Sequence, residues 1–197
     1  MEELLLKYDF AKKILETEIH ILIQEYEFQH GYNPVEHIKS RLKSKDSVKK
    51  KLEGMGHTFH CDHVMRYIHD MVGIRIVCSF LSDVYDMVEV IHSSSQFIIK
   101  EESDYIRFPK DSGYKSYHMN VLVPVHLKNK TEYVEAEIQI RTVAMDCWAS
   151  LDHKLRYKLP KTIPDSLQEE MVACASDMMQ MDDRMQQLYQ MVKQYRD

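Results

Sequence analysis

The chain has 197 residues, of which 44% are hydrophobic and 29% are charged, and its formal net charge is −5. This length suits one well-buried domain with helical additions and excludes two full domains. The four cysteines form no CxxC pair, and no apolar run approaches the ~18 residues of a membrane span, so we expect a cytoplasmic protein that does not contact membranes.

The N-terminal third predicts helices. Apolar residues recur at spacings of three and four over residues 2–30, which is typical of a long amphipathic helix that ends at Gly31. Asn33 and Pro34 then favour the start of a second helix through their N-cap and N1 preferences. The predicted buried stripe of this second helix consists of Val35, Ile38 and Leu42.

In the middle of the chain, predicted helices alternate with predicted strands. After a break at 44–46, a short basic helix is predicted up to Gly54. Further helices are predicted at 63–71, 83–92 and 142–158, strands at 73–80, 96–100, 117–125 and 132–141, a polar loop at 104–112 and a turn at 128–130. Helices flanking a mixed sheet of about five strands define an α+β fold, an α/β sandwich.

The C-terminal segment predicts a long helix. Ser166 and Glu169 match a capping box. A heptad seam follows at spacings of four and three: Leu167, Met171, Cys174, Met178, Met181, Met185, Leu188, Val192 and Tyr195. This face either packs on its own domain or mediates oligomer formation. We therefore divide the chain into an N-terminal helix (1–30), a main domain (31–160) and a C-terminal helix (165–197).

The strand that ends at Thr142 carries the most informative pattern. Because strand side chains alternate, one face is polar and consists of Glu137, Gln139 and Arg141. A carboxylate, an amide and a guanidinium on one face suit a charged ligand, although the solvated face of an antiparallel sheet has the same pattern.

A basic segment precedes these strands. Residues 39–51 contain seven basic residues and one acidic residue. Lys43, Ser47 and Lys51 lie four apart, so a continuous helix would place them on one face. Alternatively, a new helix that begins near Asp46 would offer its N-terminal amides. Either geometry suits a polyphosphate, and a solvated basic face is the plainer interpretation.

Two further groups have ligand-binding chemistry. Asp70 closes a helix just before Gly73 and Arg75, an arrangement that can hold Mg²⁺ and a phosphate side by side or form a helix-end ion pair. Tyr114 follows Gly113 on a predicted turn, where an aromatic ring is suited to stacking on a base.

Four motifs in this order resemble the RelA/SpoT synthetase domain, and most closely the small alarmone synthetases of Gram-positive bacteria, over residues 20–160. The motifs are Arg41-x-Lys43-x-x-x-Ser47-x-x-x-Lys51, Asp70-x-x-Gly73-Ile74-Arg75, Gly113-Tyr114-Lys115-Ser116-Tyr117-His118 and Glu137-Ile138-Gln139-Ile140-Arg141-Thr142. The resemblance implies a nucleotidyltransferase-like fold and a GTP/GDP pyrophosphokinase, which transfers the β,γ-pyrophosphate of ATP to the 3′-hydroxyl of GDP or GTP and yields (p)ppGpp and AMP. It also implies Mg²⁺, a homotetramer, and (p)ppGpp or RNA as candidate allosteric ligands.

The resemblance assigns roles residue by residue. It implies that ATP is bound by Arg41, Lys43, Ser47, Lys51 and Arg75. It implies that GDP or GTP is bound by Lys110, Tyr114, His118, Gln139 and Ala149, with Tyr114 stacked on guanine. Asp70 and Glu137 are the implied catalytic residues and Mg²⁺ ligands, and Glu137 would also orient or deprotonate the 3′-hydroxyl. We expect Arg141 to hold the local architecture.

Other interpretations stay open. The chain could be a catalytically inactive nucleotide- or RNA-binding regulatory module on the same fold, or a different nucleotidyltransferase. His69 and Asp70 resemble the metal dipeptide of HD hydrolases, but no second such pair stands at a workable spacing, so hydrolysis is not expected. A separate cluster has ligand types that suit Zn²⁺ and consists of His57, His60, Cys61 and His63.

Overall fold

The computed structural model describes residues 2–158 and 164–195. The strands are β1 (Val35–Leu42), β2 (Val72–Cys78), β3 (Ile98–Asp104), β4 (Tyr117–Leu127) and β5 (Lys130–Thr142). The helices are α1 (Glu2–His30), α2 (Lys45–Gly54), α3 (Cys61–Tyr67), α4 (Leu81–His92), α5 (Val143–Lys158) and α6 (Asp165–Lys193). The strands form one mixed sheet in the order β1-β2-β5-β4-β3. The predicted α+β fold with a five-stranded sheet is confirmed.

The sheet has one apolar and one polar face. Its central pair, β2 and β5, is parallel, and the other three pairs are antiparallel. Ile74 and Ile138 lie opposite each other in this pair and are fully buried. Helices α1 and α4 cover this apolar face, where burial of aliphatic side chains supplies most of the favourable free energy of folding. The opposite face carries the alternate, polar side chains.

The segment predicted as a second helix is strand β1, so this prediction was wrong. Val35 and Ile38 are both half-buried although they lie three residues apart. A register shift between Val35 and His37 inserts an extra residue into the strand, which returns the next apolar residue to the same face. The resulting spacing of three imitates one turn of a helix.

Several element boundaries also differ from those predicted. Strand β3 continues past residue 100 to Asp104, because an edge strand can pair through its backbone while its side chains stay polar. Helix α6 begins with Pro164 at its N-cap and no side-chain cap, so the capping box was wrong. The predicted domain boundary at residue 160 lies outside the described residues. Within the described ranges, no helix combines the length and apolar character that crossing a membrane requires.

Helix α6 packs back on its own domain. Met171 and Ala175 are buried against Trp148 of α5, and the ring of Tyr189 stacks on Phe80 with centroids 4.2 Å apart. The packed face is rotated relative to the predicted seam, because it includes Ala175 and Tyr189, which are not seam positions. Six seam residues therefore remain exposed: Leu167, Cys174, Met181, Leu188, Val192 and Tyr195.

The turn between β3 and β4 touches α6 at a glycine. Gly113 has a φ of +74°, and a Cβ at this position would lie 2.4 Å from the Cβ of Ala175. Gly56 has a similar φ of +78°, but a Cβ there would meet nothing within 4 Å. The two glycines therefore share a left-handed backbone and differ in the space around them.

We expect Gly113→Ala to lower the free energy of unfolding more than Gly56→Ala. Both substitutions incur the left-handed backbone cost of about 1–2 kcal/mol, while overpacking against Ala175 adds about 1–3 kcal/mol at Gly113 alone. Urea denaturation of the two variants and the unsubstituted protein measures the difference. Equal losses would show that α6 does not restrain this turn.

Candidate functional site

Strand register brings the polar residues of the predicted motifs together. The parallel pairing of β2 with β5 places Gly73 beside Glu137 and Arg75 beside Gln139. The antiparallel pairing of β4 with β5 places His118 on the other side of Gln139. Because residues in register lie on the same face of a sheet, these side chains form one cluster on the polar face.

Two adjacent cavities open on this face. The first, of about 310 Å³, is lined by residues that include Asp70, Arg75 and Glu137. The second, of about 690 Å³, is lined by residues that include Tyr114, Arg141 and Ala149. Three residues line both cavities: Arg41, Arg75 and Gln139. Both volumes fall in the range of small-molecule sites, and the shared residues make the two cavities neighbours.

Two lysines converge on Asp70. Lys43, just after β1, pairs with Oδ2 of Asp70, and Lys51 of α2 donates to Oδ1 at 3.0 Å. Burial alone would raise the pKa of Asp70, but the hydrogen bonds and charges of the two lysines hold this pKa below its ordinary value. Asp70 is therefore ionised at neutral pH.

Helix α2 is a separate helix that begins at Lys45, after β1. This agrees with the second predicted geometry, in which a new helix begins near Asp46. Ser44 is its N-cap, and the Ser44 hydroxyl accepts a hydrogen bond from the amide of Ser47 at 3.3 Å. The Ser47 hydroxyl contacts that of Ser44 at 2.8 Å, and Ser47 is exposed in the first turn of the helix. Ser47 is not among the residues that line either of the two cavities.

Glu137 is the second buried carboxylate of the site. It accepts hydrogen bonds from Nδ1 of His118 at 3.0 Å and from Nε2 of Gln139 at 2.7 Å. Burial alone would raise the pKa of Glu137, and the charge of Asp70 adds to this effect. His118 and Gln139 outweigh both and hold the pKa of Glu137 below its ordinary value. Glu137 can therefore act as a metal ligand or as a weak base at neutral pH.

The predicted acceptor residues surround Tyr114. The Tyr114 hydroxyl lies 2.8 Å from Nε2 of His118 and accepts a hydrogen bond from Nη2 of Arg141 at 2.8 Å. The ammonium group of Lys110 lies 5.3 Å from the centre of the Tyr114 ring and 4.5 Å from that of Tyr105. Within this structure the Tyr114 ring is held by polar contacts at its hydroxyl end, and its predicted stacking on guanine stays a prediction.

Asp146 is a site residue that the sequence did not reveal. It lies in the first turn of α5, where Nη1 of Arg75 contacts it at 3.0 Å and Nη1 of Arg141 at 3.5 Å. An acidic residue in a first helical turn is common because it complements the helix dipole, so the sequence pattern alone gave no reason to single out Asp146. Arg141, expected to hold the local architecture, is only 1% exposed and lines the second cavity.

The histidine-rich segment has other partners. The ring of His57 stacks on Tyr67 with centroids 4.0 Å apart, and Nδ1 of His63 contacts the carbonyl oxygen of Thr58 at 2.8 Å. Among the residues described, no group of three or more His, Cys, Asp or Glu side chains is placed to hold a metal ion. His69 pairs with Glu135.

Taken together, the fold and the site define a class of phosphate-handling proteins. Two neighbouring cavities, several Lys and Arg side chains and two ionised carboxylates provide the groups that phosphoryl-type transfer requires, which are chiefly positioning and charge neutralisation.

Comparison with known proteins identifies the family. A family model described as "Region found in RelA / SpoT proteins" matches residues 40–162. GTP pyrophosphokinase YwaC of Bacillus subtilis (strain 168) is 45% identical over 181 residues, which cover 92% of this chain and 86% of that protein. This chain belongs to the RelA/SpoT family, so the resemblance stated from the sequence is confirmed.

Solved structures agree with this assignment. The crystal structure of small alarmone synthetase 2 from Bacillus subtilis matches with a TM-score of 0.85 and 44% identity, covering 96% of this chain and 97% of that chain. The crystal structure of small alarmone synthetase 1 from Bacillus subtilis, bound to its product pppGpp, matches with a TM-score of 0.87 and 29% identity, covering 98% and 97%.

We expect Asp146→Asn to lower the free energy of unfolding by about 1–3 kcal/mol, because the buried guanidinium group of Arg141 and the partly exposed one of Arg75 would lose their shared carboxylate. Asp177→Asn, on the exposed side of α6, is the matched control and should change stability by less than about 0.5 kcal/mol. Urea denaturation measures both, and indistinguishable stabilities would refute a counter-ion role for Asp146.

Proposed function

We propose that this protein is a GTP/GDP pyrophosphokinase. It transfers the β,γ-pyrophosphate of ATP to the 3′-hydroxyl of GDP or GTP and releases (p)ppGpp and AMP. The observation that carries the proposal is the pair of adjacent cavities that share Arg41, Arg75 and Gln139, with Glu137 in the first cavity. The family membership and the printed function of the Bacillus subtilis relative, GTP pyrophosphokinase, support it.

The first cavity is the proposed ATP site. Arg41 and Arg75 line it, and Lys43 and Lys51 lie on Asp70 at its edge. A triphosphate carries several negative charges, and cationic side chains neutralise the charge that develops during transfer. Ser47, in the first turn of α2, is proposed to join the same group through the N-terminal end of that helix.

The donor set fits Mg²⁺. Asp70 and Glu137 line the same cavity, and the charge of Asp70 acts on Glu137. Mg²⁺ is usually held in such sites by one or two carboxylates together with substrate phosphates. When bound, it would neutralise phosphate charge and help align the reacting groups.

The second cavity is the proposed acceptor site. Gln139 and Ala149 line it, Tyr114 offers its ring to guanine, and Lys110 and His118 stand beside Tyr114. The acceptor hydroxyl would then lie near Glu137, at the boundary of the two cavities. An ordinary carboxylate is a weak base for an alcohol, so we assign Glu137 the orientation of the hydroxyl and the removal of its proton as transfer proceeds.

Self-association through α6 is part of the proposal. The outer side of this helix exposes Met181 (49%), Leu188 (61%) and Val192 (51%) at heptad spacing. Apolar side chains at this spacing form the contact surface of paired helices, and methionine adapts to varied partners. We propose a homotetramer in which α6 contributes to the contact. The candidate allosteric ligands, (p)ppGpp and RNA, stay predictions.

Glu137→Gln should abolish synthesis and leave the protein folded, because the amide keeps the shape of the side chain but cannot accept a proton. Incubation of the protein with labelled ATP, GDP and Mg²⁺ measures AMP and the labelled tetraphosphate. The matched control is Glu135→Gln, two residues earlier on β5, which should retain synthesis.

The same assay tests the enzyme proposal itself. Retained nucleotide binding by the unsubstituted protein without any product would identify an inactive regulatory module. Substantial turnover by the Glu137→Gln variant would remove Glu137 from the mechanism.

Met181→Glu combined with Leu188→Glu should lower the molar mass in solution, because charges would replace apolar side chains in the proposed contact. Light scattering after size-exclusion chromatography measures the mass. Gln180→Glu combined with Gln187→Glu, exposed one position earlier in each case, is the matched control. An unchanged mass in the first variant would show that this face of α6 does not hold the assembly together.

A further inference from the structure

Helix α6 carries a buried carboxylate that reaches the start of α5. Asp182 is 5% exposed, and its Oδ2 accepts a hydrogen bond of 2.6 Å from the hydroxyl of Thr142. Thr142 is fully buried at the end of β5, and the same hydroxyl accepts a hydrogen bond of 3.2 Å from the amide of Met145, in the first turn of α5. The Thr142 hydroxyl therefore joins α6 to the N-terminal end of α5.

The Asp182 carboxylate is only half satisfied by this contact. Its Oδ1 is buried and has no hydrogen-bond partner among the residues that the structure describes. Burial raises the pKa of Asp182, while the Thr142 hydroxyl and the charge of Lys115 act in the opposite direction. A buried polar atom without a partner lowers stability, so an apolar residue would serve a purely structural contact better. The presence of a carboxylate here points to a role beyond stability.

Helix α5 forms one wall of the second cavity. Five of its residues line this cavity: Ala149, Ser150, Asp152, His153 and Lys154. The residues that line the first cavity come instead from β1, β2 and β5 and from Asp70, just before β2. A change in the position of α5 should therefore alter the proposed acceptor site more than the proposed ATP site.

Helix α6 also supports another wall of the second cavity. Tyr114 lines this cavity from the turn between β3 and β4, and the preceding Gly113 closely approaches Ala175 of α6. A narrow space of about 10 Å³ remains between this turn and α6, and its lining includes Lys115 and Asp182. The same helix thus contacts both elements that carry the acceptor residues.

We propose that Asp182 is a positioning residue for the acceptor nucleotide, which acts through Thr142 to hold α5, and with it one wall of the acceptor cavity, in place. The inference rests on the proposed function, because it takes the second cavity to be the GDP or GTP site. It goes further by assigning part of the acceptor affinity to a residue of α6 that lines neither of the two site cavities.

Other contacts keep α6 docked when Asp182 is replaced. Oε1 of Gln186 accepts a hydrogen bond from the Ser82 amide at 2.9 Å, and its Nε2 donates to the Ser82 hydroxyl at 3.2 Å. The ring of Tyr189 stacks on Phe80. A variant at Asp182 therefore isolates the contact with Thr142.

Isothermal titration calorimetry with GDP, and separately with a non-hydrolysable ATP analogue, both with Mg²⁺, tests the inference without turnover. Asp182→Ala should weaken GDP binding about tenfold, the scale of one lost hydrogen bond to a charged group. Binding of the ATP analogue should weaken by less than about threefold, a small effect that arises because Asp146 of α5 contacts Arg75, which lines both cavities. The matched control is Asp183→Ala, at the exposed neighbouring position, which should leave both affinities unchanged.

Variants of the partner residue keep the test informative if Asp182→Ala does not fold. Thr142→Val removes the hydroxyl and nearly keeps the shape of the side chain, so it should weaken GDP binding at least as much as Asp182→Ala does. Thr142→Ser keeps the hydroxyl and should weaken GDP binding less than Thr142→Val. Because Asp182 acts through Thr142, the double variant should bind GDP no more weakly than Thr142→Val alone. Additive losses would overturn the proposal.

Hydrogen exchange measured by NMR adds a readout that needs no nucleotide. The Met145 amide, whose partner is the Thr142 hydroxyl, should exchange faster in Asp182→Ala than in Asp183→Ala. Unchanged exchange would show that Asp182 does not hold the start of α5.

The calorimetry separates failure of the inference from failure of the proposed function. If the unsubstituted protein binds no GDP, the proposed function fails, and the acceptor role of Asp182 fails with it. If the unsubstituted protein binds GDP, and Asp182→Ala binds GDP equally well or loses both nucleotides to the same extent, only the inference is overturned.

Discussion

The parallel pairing of β2 with β5 is the constraint on which the site depends. These strands lie at the centre of the sheet, and their apolar sides are buried under two helices. A shift of this register by one residue would turn every side chain of β5 to the opposite face. Burial of Ile74 and Ile138 therefore sets the positions of Arg75, Glu137 and Gln139 on the polar face. The free energy that fixes the polar side chains of the site therefore comes largely from apolar side chains packed on the other face of the sheet.

Much of the fold followed from periodicity alone. Alternation identified β4 and β5, and the spacing of apolar residues identified α1 and α6. The prediction failed at β1, because a register shift near Val35 gave a strand the spacing of a helix. It also missed the packed side of α6, where Ala175 and Asp182 are buried and the neighbouring Met181 is exposed. A small residue is recognised as buried only when the surface that approaches it is known.

The site was predictable where one motif carried its chemistry and less so where partners came from distant segments. Alternation placed Glu137 and Gln139 on one face, and the basic segment indicated Lys43 and Lys51. The convergence of both lysines on Asp70 depends on how α2 folds back after β1. Asp146 was not found, because its role follows from two arginines that only tertiary structure brings to it. Many exposed acidic residues also lie in the first turn of a helix, so this position alone does not indicate a role in the site.

The ion pairs of the site have a further electrostatic consequence. In two places one carboxylate is shared by two cations: Asp70 by Lys43 and Lys51, and Asp146 by Arg75 and Arg141. In each of these clusters one positive charge neutralises the carboxylate, and a second positive charge is left over. The cleft is thus locally positive in a protein whose net charge is −5. Because a concave, poorly solvated surface concentrates the field of its charges, this face attracts an approaching polyanion, so the rate of encounter should fall as salt screens that attraction.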